Sequence, residues 1–387
     1  MNTKEKYDKH IMNTYGRTDL TIEEGCGGLV VDENGKEYID LGSGIGTNSL
    51  GFCDSDWVEA VSKQAGIVQH TSNYYYNEPC GEFADRLCSI TKYDKVFFGN
   101  SGAEANECAI KLARKYSFDK YGKDRGTIIT LTGSFHGRTL ATLAATGQES
   151  FHNYFFPFPL GFKHALVNDS ADLKNKIDDS VCAIMFEYIQ GEGGIIPLSE
   201  EFVETIFELA KGHDLVTISD EIQCGTGRTG EFLAGSCFGK FADVTTLAKG
   251  LGGGLPIGVC MAKGEFAEVL TKGTHGSTFG GNPVVCAGGL TVLEKVGDRK
   301  FLNSVKQKGE KIRTALKAMK KVKSITGSGL MIGVELDDVY ASDVVNRCAD
   351  NGLLVLTAKE KLRLLPPLNI SDKNIDNAMK ILEKILA

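Results

Sequence analysis

From about residue 56 the chain alternates short apolar runs with stretches of helical spacing. Val96-Phe97-Phe98, Thr127–Leu131, Cys182–Glu187 (CAIMFE), Leu215–Asp220 (LVTISD) and Val244–Ala248 (VTTLA) read as buried strands. Between them, residues 103–122 place Ala105, Ala109, Leu112, Ala113 and Tyr116 on one helical face, and a second helix is expected near 200–213. Continuous apolar strands separated by amphipathic helices predict a mostly parallel α/β sheet. The opening 50 residues are different. LVVDENGKEYIDL alternates around Asn34-Gly35, a hairpin turn signal. After about 276 the texture changes again. One long helical stretch is expected over 284–319, then the strands LMIGVEL, LLVLT and KLRLLP, then a last helix, IDNAMKILEKIL. The predicted division is a large domain over 51–275 and a smaller α+β domain over 276–387, which the segment 1–50 joins.

Composition narrows the function classes. The chain has 387 residues, 42% hydrophobic and 24% charged, which is ordinary for a globular protein. Its net charge of −7 leaves no electrostatic footprint for nucleic acid. No apolar stretch is long enough to span a bilayer, so no membrane association is expected. The start, MNTKEKYDKH, lacks a signal-peptide core. The 11 cysteines include no CxxC pair and read as reduced, buried thiols of a cytoplasmic protein. The seven histidines show no ligand spacing, so no metal is expected. Glycine is in excess, 46 residues clustered at 42–46, 191–194, 225–230, 250–254 and 280–281. Such clusters suit backbone that turns sharply or meets a ligand closely.

Four features fall at strand ends, where open α/β sheets bind ligands. Ser101, Gly102 and Ala103 lie between a strand and a helix, so free amides and a hydroxyl there can cradle a phosphate. Ser101 with Glu104 also reads as a simple capping box. Asp220 ends LVTISD, where a buried acid needs a cation such as a protonated pyridine nitrogen; it could equally cap a loop. Lys249 closes VTTLA, and burial there favours a neutral, nucleophilic amine able to form a Schiff base; the plainer reading is a strand-end lysine reaching solvent. Phe135 can stack on a flat ring, and Arg138 three residues later suits a carboxylate; the plainer readings are core packing and a surface ion pair. Together these are the parts that hold pyridoxal 5′-phosphate.

At these motifs the chain resembles the class-III aminotransferases, in particular the acetylornithine/ornithine group. The likeness spans nearly the whole sequence: GIGTNSLG (44–51), FFGNSGAEANE (97–107), SFHGRTLATLAATG (134–147), EYIQGEGG (187–194), DEIQCGTGRTG (220–230), TTLAKGLGGGLPIG (245–258), GSTFGGNPV (276–284) and LRLLPPL (362–368). The resemblance implies the aspartate-aminotransferase fold (fold type I) and a homodimer with shared active sites. It makes Lys249 the Schiff-base lysine and Asp220 the pyridine partner. Gln223 would lie by the ring's phenolic oxygen, Gly102 and Ala103 on the phosphate, and Phe135 on the ring face. Thr278 would reach the neighbouring subunit's phosphate, with Ser277 near the substrate. Arg138 and Arg363 would bind substrate carboxylates. Glu192 would be a gate acid that neutralises Arg363, its flanking glycines giving it freedom; the plainer reading is a mobile surface loop.

The implied reaction moves the ω-amine of N2-acetyl-L-ornithine to 2-oxoglutarate, as in arginine biosynthesis. Ornithine, succinylornithine and 4-aminobutyrate are alternative donors. A pyridoxal-phosphate mutase or epimerase is the alternative of another class, and a non-enzymatic α/β binding protein is a third reading. Three sites depart from the family's usual residues: Tyr188 stands for proline, Tyr74 for leucine, and 51–56 reads GFCDSD. They are expected to flank the substrate pocket.

Overall fold

The computed structural model describes all 387 residues. Its centre is a seven-stranded sheet. The strands run in the order Lys95–Gly99, Gly258–Ala262, Val244–Ala248, Val216–Asp220, Val181–Phe186, Thr127–Leu131 and Phe162–Ala165. All are parallel except Gly258–Ala262, which is antiparallel to both its neighbours. Every residue of Val181–Phe186, Val216–Asp220 and Val244–Ala248 is buried, as strands covered on both faces require. The helices Gly102–Tyr121 and Glu200–His213 pack on the sheet. Ser101 caps the first and Ser199 the second, each accepting a backbone N–H through its side chain.

The N-terminal hairpin forms as expected, Leu29–Asp32 pairing with Glu37–Asp40. Asp32 Oδ1 accepts the amides of Asn34 and Lys36 at 2.8 and 3.0 Å, which closes the turn. Glu37–Asp40 then pairs in parallel with Leu353–Leu354, so the two ends of the chain share one sheet. A separate antiparallel sheet holds Val322–Ser328, Met331–Leu336, Lys361–Leu364 and Leu356–Ala358.

Three expectations are corrected. The stretch 284–319 is two helices, Pro283–Val296 and Arg299–Lys317, because Asp298 accepts the amides of Lys300 and Phe301 and starts a new helix. The first of the two packs on Ser55–Ala65 and Glu78–Thr91. The strands Phe162–Ala165, Gly258–Ala262 and Val322–Ser328 had no expected counterpart. The cysteines are all free but not all buried: Cys26, Cys53 and Cys237 are exposed. No helix is long and apolar enough to cross a membrane.

Candidate active site

A cavity of about 400 Å³ opens beyond the C-terminal ends of the parallel strands. Lys249 follows Val244–Ala248 directly and takes a left-handed conformation, φ +45°. A non-glycine residue held there costs free energy and is typical of functional positions. Its amine is removed from bulk solvent, and burial holds its pKa below the usual lysine range. Glu192 pulls that pKa back up, while Arg363 pushes it further down.

Asp220 is fixed by three donors. Ile222 N reaches Oδ1 at 3.0 Å; Asn106 Nδ2 and His136 Nδ1 reach Oδ2, each at 2.8 Å. A carboxylate acceptor assigns the proton to His136 Nδ1, which leaves its buried Nε2 without a partner. Asn106 also donates to His136 O at 2.7 Å, and its Oδ1 accepts Thr246 Oγ1 at 2.7 Å. Neither residue was assigned a role from sequence. The signal for Asn106 was a polar residue on the apolar stripe that includes Ala109 and Ala113.

Ser101, Gly102 and Ala103 line the same cavity. Gly102 and Ala103 open their helix, so their amides have no partner within it. Ser101 is an N-cap but the capping box is not completed: its Oγ accepts Glu104 N and donates to Glu104 Oε2, while Glu104 Oε2 accepts the amide of Asn100 and not that of Ser101. Phe135 forms another wall, its amide donating to Glu187 Oε1 at 3.0 Å. The other oxygen of Glu187 accepts Gly191 N at 2.9 Å. Glu187 is buried; desolvation and then the charge of Asp220 raise its pKa to about 7. It was not singled out from sequence, although an acid ending CAIMF was the available sign.

The two arginines sit differently. Arg363 is buried and meets Glu192 Oε1 at 2.5 Å. Gln223 bridges them, donating to Glu192 at 3.1 Å and accepting from Arg363 at 3.2 Å. Gln223 therefore lines the cavity as part of this pair. Burial pushes the Glu192 carboxyl up, but the charge and hydrogen bond of Arg363 outweigh it and its pKa is low. The loop is not a mobile surface segment, since Gly191 and Gly193 are buried. Nor is freedom the reason for Gly191: a Cβ there would lie 2.4 Å from the Gln223 amide. Arg138, by contrast, is exposed at the cavity wall without a carboxylate partner, so the ion-pair reading fails. Its guanidinium lies over the rings of Phe151 at 4.1 Å and Phe135 at 5.4 Å.

Ser277 and Thr278 stand outside the cavity lining. Ser277 Oγ accepts Gly280 N at 3.0 Å and Asn100 Nδ2 at 3.3 Å, and Thr278 is exposed. Thr47 and the turn 254–257 line the cavity without having been expected there. None of the three departures flanks it. Tyr188 is wholly buried, stacked on Phe238 and donating to Lys240 O at 2.6 Å. Tyr74 is 93% exposed. Asp54 caps the helix Ser55–Ala65 and pairs with Lys295.

The observations fit a flat anionic cofactor with a cationic ring nitrogen. Two free helix-start amides, an aromatic plate, a triply held carboxylate and a desolvated lysine converge on one cavity. This fold and site define an aminotransferase. Residues 11–386 match the family described as Aminotransferase class-III, and the chain belongs to that family. The acetylornithine aminotransferase of Haemophilus ducreyi is 50% identical over 380 residues, 98% of this chain and 96% of its own. That of Aquifex aeolicus is 44% identical over 379 residues, 97% of this chain and 100% of its own. Among solved structures, an ornithine aminotransferase from Toxoplasma gondii, with partial pyridoxal-phosphate occupancy at its active site, superimposes with a TM-score of 0.94. It is 31% identical, with 99% of this chain and 93% of that one covered. The N-acetylornithine aminotransferase of Stenotrophomonas maltophilia superimposes at 0.84, 35% identical with 96% of each chain covered.

Proposed function

We propose that this aminotransferase moves the ω-amine of N2-acetyl-L-ornithine to 2-oxoglutarate, yielding N-acetyl-glutamate 5-semialdehyde and glutamate, in the cytoplasm and in arginine biosynthesis. The observation that carries the reading is the pairing of Glu192 with buried Arg363, together with a cavity-lining Arg138 free of any carboxylate. An ω-amine has no carboxylate beside it, so a bare Arg363 would be a costly neighbour in the first half-reaction. Glu192 removes that cost and yields Arg363 to the α-carboxylate of 2-oxoglutarate in the second. Arg138 stays available to the far carboxylate of either substrate. The choice of acetylated donor rests on the relatives.

Pyridoxal 5′-phosphate, when bound, supplies the aldehyde that takes up the amine and a ring that stores the carbanion's electron pair. Gly102, Ala103 and Ser101 would hold its phosphate, Phe135 its ring face and Asp220 its ring nitrogen. Lys249 would carry the proton from the substrate carbon that bears the amine to the cofactor's aldehyde carbon in the first half-reaction, and from there to the carbon derived from 2-oxoglutarate in the second. A homodimer with shared sites belongs to the same proposal. Thr278 is exposed and outside its own cavity, which suits a residue serving a partner subunit. A donor panel of acetylornithine, ornithine, succinylornithine and 4-aminobutyrate with 2-oxoglutarate tests the substrate. The highest kcat/KM is expected for acetylornithine, and a higher value for another donor refutes it. Sedimentation of a fully active monomer would refute the shared site.

A further inference from the structure

We infer that Phe151 is a positioning residue for substrate carboxylates, acting through Arg138. The inference rests on the proposed role of Arg138 and names what holds that side chain. Arg138 is the cavity's exposed cation, and a long, solvated guanidinium loses rotamer freedom when it is pinned to one place. A carboxylate would pin it but would also occupy it. An aromatic face attracts a cation without neutralising its charge or using its N–H donors. Phe151 supplies that face at 4.1 Å, closer than Phe135 at 5.4 Å.

The seat is built into the frame of the site. Phe151 ends the short helix Glu149–Phe151, and its ring meets Phe135 edge-on with centroids 5.9 Å apart. Gln148 Nε2 donates to Gly133 O and Ser134 O at 3.2 and 3.1 Å, immediately before Phe135. The His152 ring is 2.8 Å from Leu143 O. The turn 148–152 is thus bound on both sides to the segment that carries Phe135 and Arg138. Phe135 faces the cofactor cavity, Phe151 stands behind, and Arg138 spans the two with its donors free.

Calorimetry on the holoenzyme tests this with glutarate, a dicarboxylate that cannot react. Phe151→Leu should weaken glutarate binding by roughly threefold to thirtyfold, the range of a cation–π contact from exposed to desolvated. The KM for 2-oxoglutarate should rise with kcat unchanged, and Phe151→Trp should restore or tighten binding. In an Arg138→Ala background, Phe151→Leu should add nothing. No loss, or additivity with Arg138→Ala, overturns the inference. If Phe151→Leu does not fold, Phe151→Trp decides, and glutarate affinity below wild type counts against it. Unchanged glutarate binding in Arg138→Ala alone refutes the role of Arg138 instead.

Discussion

Arg138 lines the cavity, Arg363 stands behind the lining residues Glu192 and Gln223, and the two are held by opposite means. Arg363 is buried, so its charge needs a counter-charge, and Glu192 supplies one from a loop. Arg138 is solvated and needs none; two aromatic faces orient it and leave it cationic. In the proposed function the first arrangement would be a switch, because its partner carries the same charge as the ligand that would displace it. The second is a constant, because nothing there competes with a carboxylate. A site that alternates between two unlike substrates uses both kinds.

The largest expected effect comes from removing the constant. Arg138→Ala should raise KM for donor and 2-oxoglutarate alike by about ten- to a hundredfold, the worth of a charge-assisted bidentate contact. An effect on one substrate only would break the comparison. Removing the switch should instead separate the half-reactions. Glu192→Gln leaves Arg363 attractive to α-carboxylates, so the ratio of ω- to α-amine transfer rates should fall by about tenfold or more. Single-turnover measurements with acetylornithine and with glutamate check it, and an unchanged ratio removes the gate.

A smaller effect concerns Lys249. Glu192 raises its pKa and Arg363 lowers it, so Glu192→Gln should lower it further. In the apoenzyme, Lys249 should then react faster with trinitrobenzenesulfonate near neutral pH, and more slowly in Arg363→Met. Arg138→Ala should leave the rate alone. The smallest effect tests the joint between the two seats. Glu187 accepts the Phe135 amide on one side and the Gly191 amide on the other. Its carboxyl is raised from 4.5 to about 7 in the fold, so its stabilising contribution is full below pH 4.5 and is lost as pH rises through 7. Glu187→Gln should flatten that part of the apoenzyme's melting-temperature profile, and an unchanged slope assigns it to other groups.

What could be read from sequence depended on range. Thr127–Leu131 and Val244–Ala248 were legible to the residue, because apolar runs in parallel strands end abruptly. Asp220 and Lys249 stood out for the same reason: a charge closing a buried run has few innocent explanations. Long-range contacts were not legible. The hold of His136 on Asp220 spans 84 positions, and that of Gln223 on Arg363 spans 140. Tyr188 was misplaced because adjacent residues point to opposite faces. Glu187 looks into the cavity while Tyr188 packs behind it, against Phe186 and Phe238. The antiparallel strand Gly258–Ala262 hid behind a glycine-rich opening, where Gly258 lets the backbone pass Ser101 closely.

Asn106 joins three parts of the molecule that meet nowhere else in sequence. It rises from the helix whose start offers free amides, grips Asp220 at one strand end, and accepts a hydroxyl from Thr246, three residues before Lys249. These bonds tie the three parts into one hydrogen-bonded block. A block held by the chain's own bonds should keep its shape in the apoprotein, so capture of the cofactor is expected to be limited by encounter and not by rearrangement. Amide protons along Val216–Asp220 and Val244–Ala248 should exchange as slowly in the apoprotein as in the loaded enzyme.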